Sequence, residues 1–182
     1  MAAPLLKYTY EDYKHWEGKW ELIEGFPVAM APSPVINHQY LTSMFAAQIN
    51  KSLEDCEECM AVVEEDYIID EETILKPDVA MICNENNNFI TKAPEIIVEV
   101  ISPSTAKIDE KIKFDIYQKE GVKYYILAYP NHLFAKIYKN KDGRFKKIGD
   151  FEVEELILDV KCKVNINFDN IFKKLRRKHG NS

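Results

Sequence analysis

The chain contains no long uninterrupted apolar run, and this absence excludes a helical membrane protein. None of its 182 residues lies in a stretch as long as a membrane-spanning helix requires. The N-terminus does not show the charged and then apolar pattern of a secretory signal either. We therefore expect a cytoplasmic protein with no membrane partner.

An excess of positive charge is also missing, because 24 Lys and Arg residues face 30 Asp and Glu residues, for a net charge of −6. This balance is unfavourable for a protein that binds nucleic acid, since contacts with phosphates supply most of the non-specific affinity. A local basic patch can still coexist with an acidic total. The basic block at 173–179 lies in a C-terminal tail, 173–182, that we expect to be flexible and able to contact phosphates.

Cysteine is scarce and forms no complete metal-binding pattern. Cys56 and Cys59 make one Cys-x-x-Cys pair, whereas Cys83 and Cys162 stand alone. A structural zinc site would need a second pair of Cys or His with similar spacing. A thioredoxin-type pair is not favoured, because the two intervening glutamates do not stabilise a thiolate. We expect ordinary reduced cysteines.

Length and composition indicate one compact domain over residues 1–182. With 46% hydrophobic residues the chain is long enough for one sizeable core, and it shows neither an internal repeat nor a long linker. Short apolar strands and several helical patterns follow one another along the chain. We therefore predict a mixed α/β (α+β) fold with additional antiparallel hairpins.

Two acidic residues interrupt segments that otherwise have the pattern of buried strands. Asp78 comes near the start of the apolar run 75–83, and Glu99 lies inside the nearly continuous apolar run 93–101. Such runs, bounded by turn residues and rich in β-branched side chains, are typical of strands covered on both faces. A buried carboxylate is normally paired, protonated or bound to a metal. We therefore expect one of these states for Glu99.

The next segment, 109–117, has the period of a helix. Its apolar row, which we predict to be the buried one, consists of Ile108, Ile112 and Ile116. Asp109, Lys113 and Tyr117 form the adjacent row, so they would flank the buried face and could look toward the strand ends.

Two residues nearer the N-terminus have both a functional and an ordinary interpretation. Glu21 begins a strand of a predicted hairpin over 20–30, and on its position alone it is a solvent-facing strand residue. His38 occupies the first turn of a helix that ends near Leu53 and that Ser33 or Asn37 could cap. Its ordinary role is a histidine satisfied by a backbone carbonyl, and its functional alternative is a group at the mouth of a site.

These residues together resemble a known family. The resemblance is to the Uma-two family of endonucleases, which have the restriction-endonuclease-like, PD-(D/E)XK fold, and it spans nearly the whole chain in order. The matching pieces are Glu21-Leu22-Ile23-Glu24-Gly25, His38-Gln39, Lys76-Pro77-Asp78, Val98-Glu99-Val100-Ile101-Ser102-Pro103-Ser104-Thr105, Asp109, Lys113, Tyr117 and Gly121-Val122.

The resemblance implies a central mixed sheet flanked by helices, with Asp78 and Glu99 as the metal-binding acids. In the wider superfamily a lysine lies two residues after the second acid, but this chain has Ile101 there. As in other members of the family, the lysine would be moved to the following helix, where Lys113 matches. Glu21 is the candidate for a third acid that completes or orients the metal shell.

The expected chemistry is Mg²⁺- or Mn²⁺-dependent hydrolysis of phosphodiester bonds in nucleic acid, with DNA as the expected substrate. Mg²⁺ commonly takes one or two carboxylates and leaves the remaining positions to water and phosphate oxygens. Lys113 would orient the water or stabilise charge in the transition state. His38, Asp109 and Tyr117 would support these groups.

Two alternatives to catalysis are open. The chain could be a nucleic-acid-binding or regulatory module that retains the fold, or Asp78, Glu99 and Lys113 could form a purely structural ion-pair network.

We also expect a symmetric homodimer, because large apolar residues around Leu133, Phe134, Tyr138 and Phe151 exceed what one small core needs.

Overall fold

The described part of the chain contains three β-sheets and four α-helices in the computed structural model. The structure describes residues 6–30 and 35–180; the cap candidate Ser33 lies outside them. The strands are β1 (Trp20–Ile23), β2 (Phe26–Ala29), β3 (Cys59–Val63), β4 (Tyr67–Asp70), β5 (Thr73–Leu75), β6 (Val79–Cys83), β7 (Ile96–Val100), β8 (Tyr124–Tyr129), β9 (Phe134–Lys141), β10 (Arg144–Phe151), β11 (Glu155–Leu158) and β12 (Val164–Asn167). The helices are α1 (Tyr10–Tyr13), α2 (Ile36–Ser52), α3 (Phe114–Glu120), which continues a π-helical segment (Ile108–Lys113), and α4 (Phe168–Gly180).

The main sheet has six strands in the order β10-β9-β8-β7-β6-β3. It is mixed, because β7 and β8 are parallel while the other neighbours are antiparallel. The parallel pair follows from the connection, since the π-helical segment and α3 carry the chain from the end of β7 back to the start of β8. We expected the strands that carry Asp78, Glu99 and Tyr125 to be neighbours in one sheet. This is confirmed, because β7 lies between β8 and β6, and Asp78 directly precedes β6.

A second, four-stranded sheet has the order β2-β1-β5-β4, and β11 pairs with β12 as a separate hairpin. The hairpin predicted over 20–30 is confirmed as β1 and β2, with Glu24 and Gly25 at its turn and both in the positive-φ region. Strand β5, which the sequence analysis did not predict as a separate strand, joins β1 to β4.

The strand period divides the core into two layers, one on each face of the main sheet. Ile96, Val98 and Val100 pack with α2, α4 and the β11–β12 hairpin on one face. Ile97 and Ile101 point to the other face, toward α3. Since Glu99 has the same parity as Ile97 and Ile101, its side chain belongs to the α3 face.

The long helix α2 covers the first of these faces. Leu41, Phe45 and Ile49 recur at helical spacing, and all three are fully buried. At the other end of the chain, α4 extends to Gly180 with Leu175 buried, so the basic residues from 173 onwards lie on a helix, where the sequence indicated a flexible tail. No helix of the described residues is long and apolar enough to cross a membrane.

The expectation of reduced cysteines is wrong for this structure. Cys56 is bonded to Cys162, and Cys59 is bonded to Cys83 across the adjacent strands β3 and β6. The spacing of cysteines along the chain could not reveal these pairs, because they are separated by 106 and 24 residues. Sheet pairing and the approach of the β11–β12 hairpin bring them together.

We predict that the Cys56–Cys162 disulfide contributes more to stability than Cys59–Cys83. In the chain-entropy description a closed loop of about 100 residues is worth about 4.7 kcal/mol, and shorter loops less. The Cys56→Ser/Cys162→Ser variant should therefore lose more unfolding free energy than Cys59→Ser/Cys83→Ser, measured by urea denaturation without reductant. Equal losses in the two variants would contradict this ranking.

Candidate active site

Strand register brings Asp78 and Glu99 together. Val79 opposes Val98 across the antiparallel β6–β7 pair, so Asp78 and Glu99, one position further along, also face each other. The backbone N–H of Asp78 donates to Glu99 Oε2 at 3.3 Å, and the N–H of Val100 donates to Asp78 Oδ2 at 2.7 Å. Both carboxylates are therefore held by the backbone of the neighbouring strand.

Lys113 is the cation of the site. Its Nζ lies 2.7 Å from Glu21 Oε1, 3.0 Å from Glu99 Oε1 and 3.4 Å from Asp109 Oδ1. The side chain is only 4% exposed. The sequence pattern identified Lys113 as a candidate, and the structure places it against Glu99 as expected.

The predicted buried row of the helix is confirmed only in part. Ile108 and Ile116 are partly buried against the core layer on the α3 face, but Ile112 is 44% exposed, and the fully buried row is Asp109, Lys113 and Tyr117. Helical spacing shows which residues share a row but not which row faces the core. Here the buried carboxylate of Glu99 requires a cation and hydrogen-bond donors, and these come from the polar row. Residues 108–113 also form a π-helix, a rare geometry that is frequent at functional sites.

Glu21 is not the solvent-facing strand residue that its position suggested. It is 3% exposed, and β1 brings it from the second sheet to Lys113. Its Oε1 also accepts the backbone N–H of Lys76 at 2.8 Å. Glu21 therefore joins the two sheets at the site, beside the lysine.

The remaining predicted residues also meet here, with one that the sequence pattern did not indicate. Tyr117 donates its hydroxyl hydrogen bond to Glu99 Oε1 at 3.0 Å, and His38 Nε2 lies 3.3 Å from Asp78 Oδ2. Tyr125 was missed as a site residue, although its strand was predicted. Its hydroxyl donates to the carbonyl of Asp109 at 2.9 Å and fixes the π-helical segment on β8.

Exposure indicates the side from which the site is reached. The side chains of His38 and Asp78 are 13% and 9% exposed, whereas those of Glu99 and Lys113 are 3% and 4% exposed. The described part of the chain offers no hydrogen-bond partner to the buried His38 Nδ1. The His38–Asp78 end is thus the more open one, and Lys113 lies at the closed end.

Burial and like charges perturb the ionisation of the site. Burial raises the pKa of Glu99 well above its usual range, and although Lys113 opposes this, Asp109, Asp78 and Glu21 add to it. Burial likewise raises the pKa of Asp109. Burial lowers the pKa of Lys113, but the surrounding carboxylates more than offset this, so it stays protonated. Lys113 therefore supplies one positive charge to three buried acids, while Asp78 lies beside His38.

The donor set suits a hard divalent cation. Asp78 and Glu99 supply carboxylate oxygens from adjacent strands, and Mg²⁺ or Mn²⁺ prefers such ligands and keeps several waters. In the described ranges no three carboxylates come within 4.8 Å of one another. If an ion binds here, Asp78 and Glu99 are the two acids that would hold it, because Lys113 engages Glu21.

Comparisons with known proteins identify the family and the fold of the chain. A family model, Uma2, described as "Putative restriction endonuclease", matches residues 10–161. The uncharacterized protein slr1290 of Synechocystis is 29% identical over 157 residues, which cover 78% of this chain and 80% of that protein. A crystal structure described as "a putative nuclease belonging to DUF820", from Anabaena variabilis, has a TM-score of 0.71 at 17% identity, covering 92% of this chain and 98% of that one. The predicted mixed sheet flanked by helices is confirmed.

The raised pKa of Glu99 predicts a pH-dependent stability difference. A carboxyl whose pKa is higher in the folded than in the unfolded protein contributes stability at low pH, and this contribution is lost as pH rises through the folded pKa. The glutamine of the Glu99→Gln variant cannot ionise. Without metal, the unfolding free energy of the variant minus that of wild type should therefore increase as pH rises from about 5 toward 8.

The measurement is urea denaturation at several pH values in the presence of a chelator. The slope is the test, because the new amide has one acceptor oxygen in place of two, cannot accept from both the Asp78 N–H and the Lys113 and Tyr117 donors, and so changes the absolute stability. The matched control is Asp115→Asn on the exposed face of α3. A wild-type minus variant difference that stays constant with pH would contradict the prediction.

Proposed function

The chain belongs to the Uma2 family, and we propose that it is a metal-dependent endonuclease that hydrolyses phosphodiester bonds, with DNA as its substrate. The family and the structural neighbour support a nuclease-like function and a nucleic-acid substrate. The observation that carries the proposal is the opposition of Asp78 and Glu99 across β6 and β7, with Lys113 Nζ 3.0 Å from Glu99.

Asp78 and Glu99 would hold Mg²⁺ or Mn²⁺ where strands β6 and β7 bring them face to face. When bound, such an ion lowers the pKa of a coordinated water and offsets charge on a phosphate. The Val100 N–H orients Asp78, and the Tyr117 hydroxyl orients Glu99, so both carboxylates would be held in place for such an ion.

Lys113 would stabilise negative charge on the reacting phosphate or orient the attacking water. Its ammonium is fixed in advance by Glu21, Glu99 and Asp109, so little reorganisation is needed when charge develops. Glu21 and Asp109 act as its positioning residues. This assignment takes Glu21 away from the metal shell and gives it a role through the lysine.

A non-catalytic nucleic-acid-binding module is the second candidate. The triple pairing of Lys113 favours it, because a buried lysine surrounded by carboxylates can be a structural counter-ion alone. The two candidates differ in whether divalent metal and Lys113 change the rate of strand cleavage.

The symmetric homodimer stays a prediction. The residues that motivated it are occupied within the chain, since Phe151 stacks on Phe168 with ring centroids 5.2 Å apart and Tyr138 packs edge-on against Phe114 at 4.9 Å. Light scattering over a wide concentration range remains its test.

We predict that Asp78→Asn and Glu99→Gln each abolish Mg²⁺-supported cleavage while leaving the fold intact. Each change preserves shape and removes one of the two charges that hold the ion. The assay compares cleavage of single-stranded, duplex and branched DNA and of RNA, with and without Mg²⁺, and Asp115→Asn is the control. Wild-type rates in Asp78→Asn would exclude the catalytic proposal.

Lys113→Met should reduce turnover when the metal concentration is saturating. Loss of one electrostatic contact in the transition state typically costs on the order of a hundredfold in rate or more. The variant also leaves three buried carboxylates without their cation, which should destabilise the metal-free protein by roughly 3–5 kcal/mol.

The control for this variant is Lys111→Ala, an exposed lysine in the same π-helical segment. Cleavage is measured at a temperature where circular dichroism shows both variants folded, so that loss of the fold is not mistaken for loss of turnover. If Lys113→Met cleaves as fast as Lys111→Ala, the lysine has only a structural role.

A further inference from the structure

All four cysteines of the chain converge at one place, at the end of β6 opposite to Asp78. The sulfurs of Cys56, Cys59 and Cys162 lie within 4.8 Å of one another, and Cys83 is bonded to Cys59. We propose that these four cysteines are a second metal site, which takes Zn²⁺ or a similar thiophilic cation as a tetrathiolate when both disulfides are reduced.

Separate elements of the fold bring the four residues together. Cys56 follows α2, Cys59 begins β3, Cys83 ends β6 and Cys162 lies between β11 and β12. Backbone hydrogen bonds hold the loops, since Cys56 N donates to Leu53 O at 2.9 Å and Asn84 N donates to Glu58 O at 2.8 Å. The missing second half of a zinc pattern is thus supplied by two cysteines that are distant in sequence.

The spacing of the sulfurs is close to that of a tetrahedral site. With Zn–S bonds of about 2.3 Å, neighbouring sulfurs lie about 3.8 Å apart. The three mutually close sulfurs already fall within 4.8 Å, and each disulfide pair would separate by less than about 2 Å. Cys56 and Cys59 are bonded to other cysteines and not to each other. After reduction, both thiolates can therefore bind a common ion.

Surroundings of the cluster allow an ion to reach it and stay. Cys59 is buried, whereas Cys56, Cys83 and Cys162 are half-buried, which leaves a path from solvent. Four thiolates around Zn²⁺ carry a net charge of −2. Lys161 and Lys163 flank Cys162 and can offset part of it, although Lys161 Nζ also lies 3.4 Å from Glu58.

The conversion balances with a dithiol reductant. Two dithiol molecules reduce the two disulfides, giving four cysteine thiols and two oxidised dithiols. Binding of one Zn²⁺ then displaces four protons from these thiols. The oxidised state joins the elements in pairs, whereas the metal-bound state would join all of them at one point.

The experiment reduces the purified protein with a phosphine under anaerobic conditions and titrates it with Co²⁺. We expect one equivalent to give thiolate-to-cobalt charge-transfer absorption and the visible bands of a tetrahedral site, both displaced by Zn²⁺. Cys83→Ser and Cys162→Ser should lose these bands, whereas Asp78→Asn should retain them because the carboxylates lie elsewhere.

A second measurement uses the wild-type protein, so the proposal can still be tested if the cysteine variants do not fold. Zn²⁺ should protect all four cysteines of the reduced wild-type protein from alkylation, as seen by mass spectrometry, and should raise its melting temperature. Absence of Co²⁺ binding, bands unchanged in a folded Cys83→Ser, or protection of fewer than four cysteines would overturn the proposed site. None of these results depends on the nuclease proposal, since none measures cleavage.

Discussion

The contact of the Lys113 ammonium with three buried carboxylates is the constraint on which the candidate site depends. Glu21 comes from the second sheet, Glu99 from the centre of the main sheet and Asp109 from the π-helical segment, and the lysine joins all of them. Without a cation there, burial of these groups would be strongly unfavourable. Asp78 adds a further acid beside Glu99, and its neighbour on the other side is His38.

Side chains along β7 alternate between the two faces of the main sheet, and this alternation places both core residues and the site residue Glu99. Val98 and Val100 point to the α2 layer, and Ile97, Glu99 and Ile101 point to the α3 layer. A single acidic residue on the second face therefore requires polar partners within an apolar layer. The hydroxyl groups of Tyr117 and Tyr125 meet this need, because their rings pack in the core while their oxygens reach Glu99 and the Asp109 carbonyl.

The alternation and spacing of apolar residues predicted those features that depend on residues close together in the sequence. Asp78 and Glu99 were evident because each breaks an apolar strand, and the adjacency of their strands followed from burial. Three features depended on contacts distant in sequence and were not evident: the inward turn of the Lys113 row, the burial of Glu21 and the convergence of the cysteines. Helical period cannot choose between two rows when a buried carboxylate 14 residues away selects the polar one.

Calorimetric titration of the oxidised protein with Mn²⁺ tests the central claim most directly. In this form the sulfurs are bonded to each other, so no thiolate competes for the ion. The carboxylates are then the ligands that we expect to bind Mn²⁺. The structure predicts one ion per chain for wild type and for Asp115→Asn, with binding lost in Asp78→Asn and in Glu99→Gln. No binding by wild type in the presence of DNA, or unchanged binding by either variant, would contradict a metal site between Asp78 and Glu99.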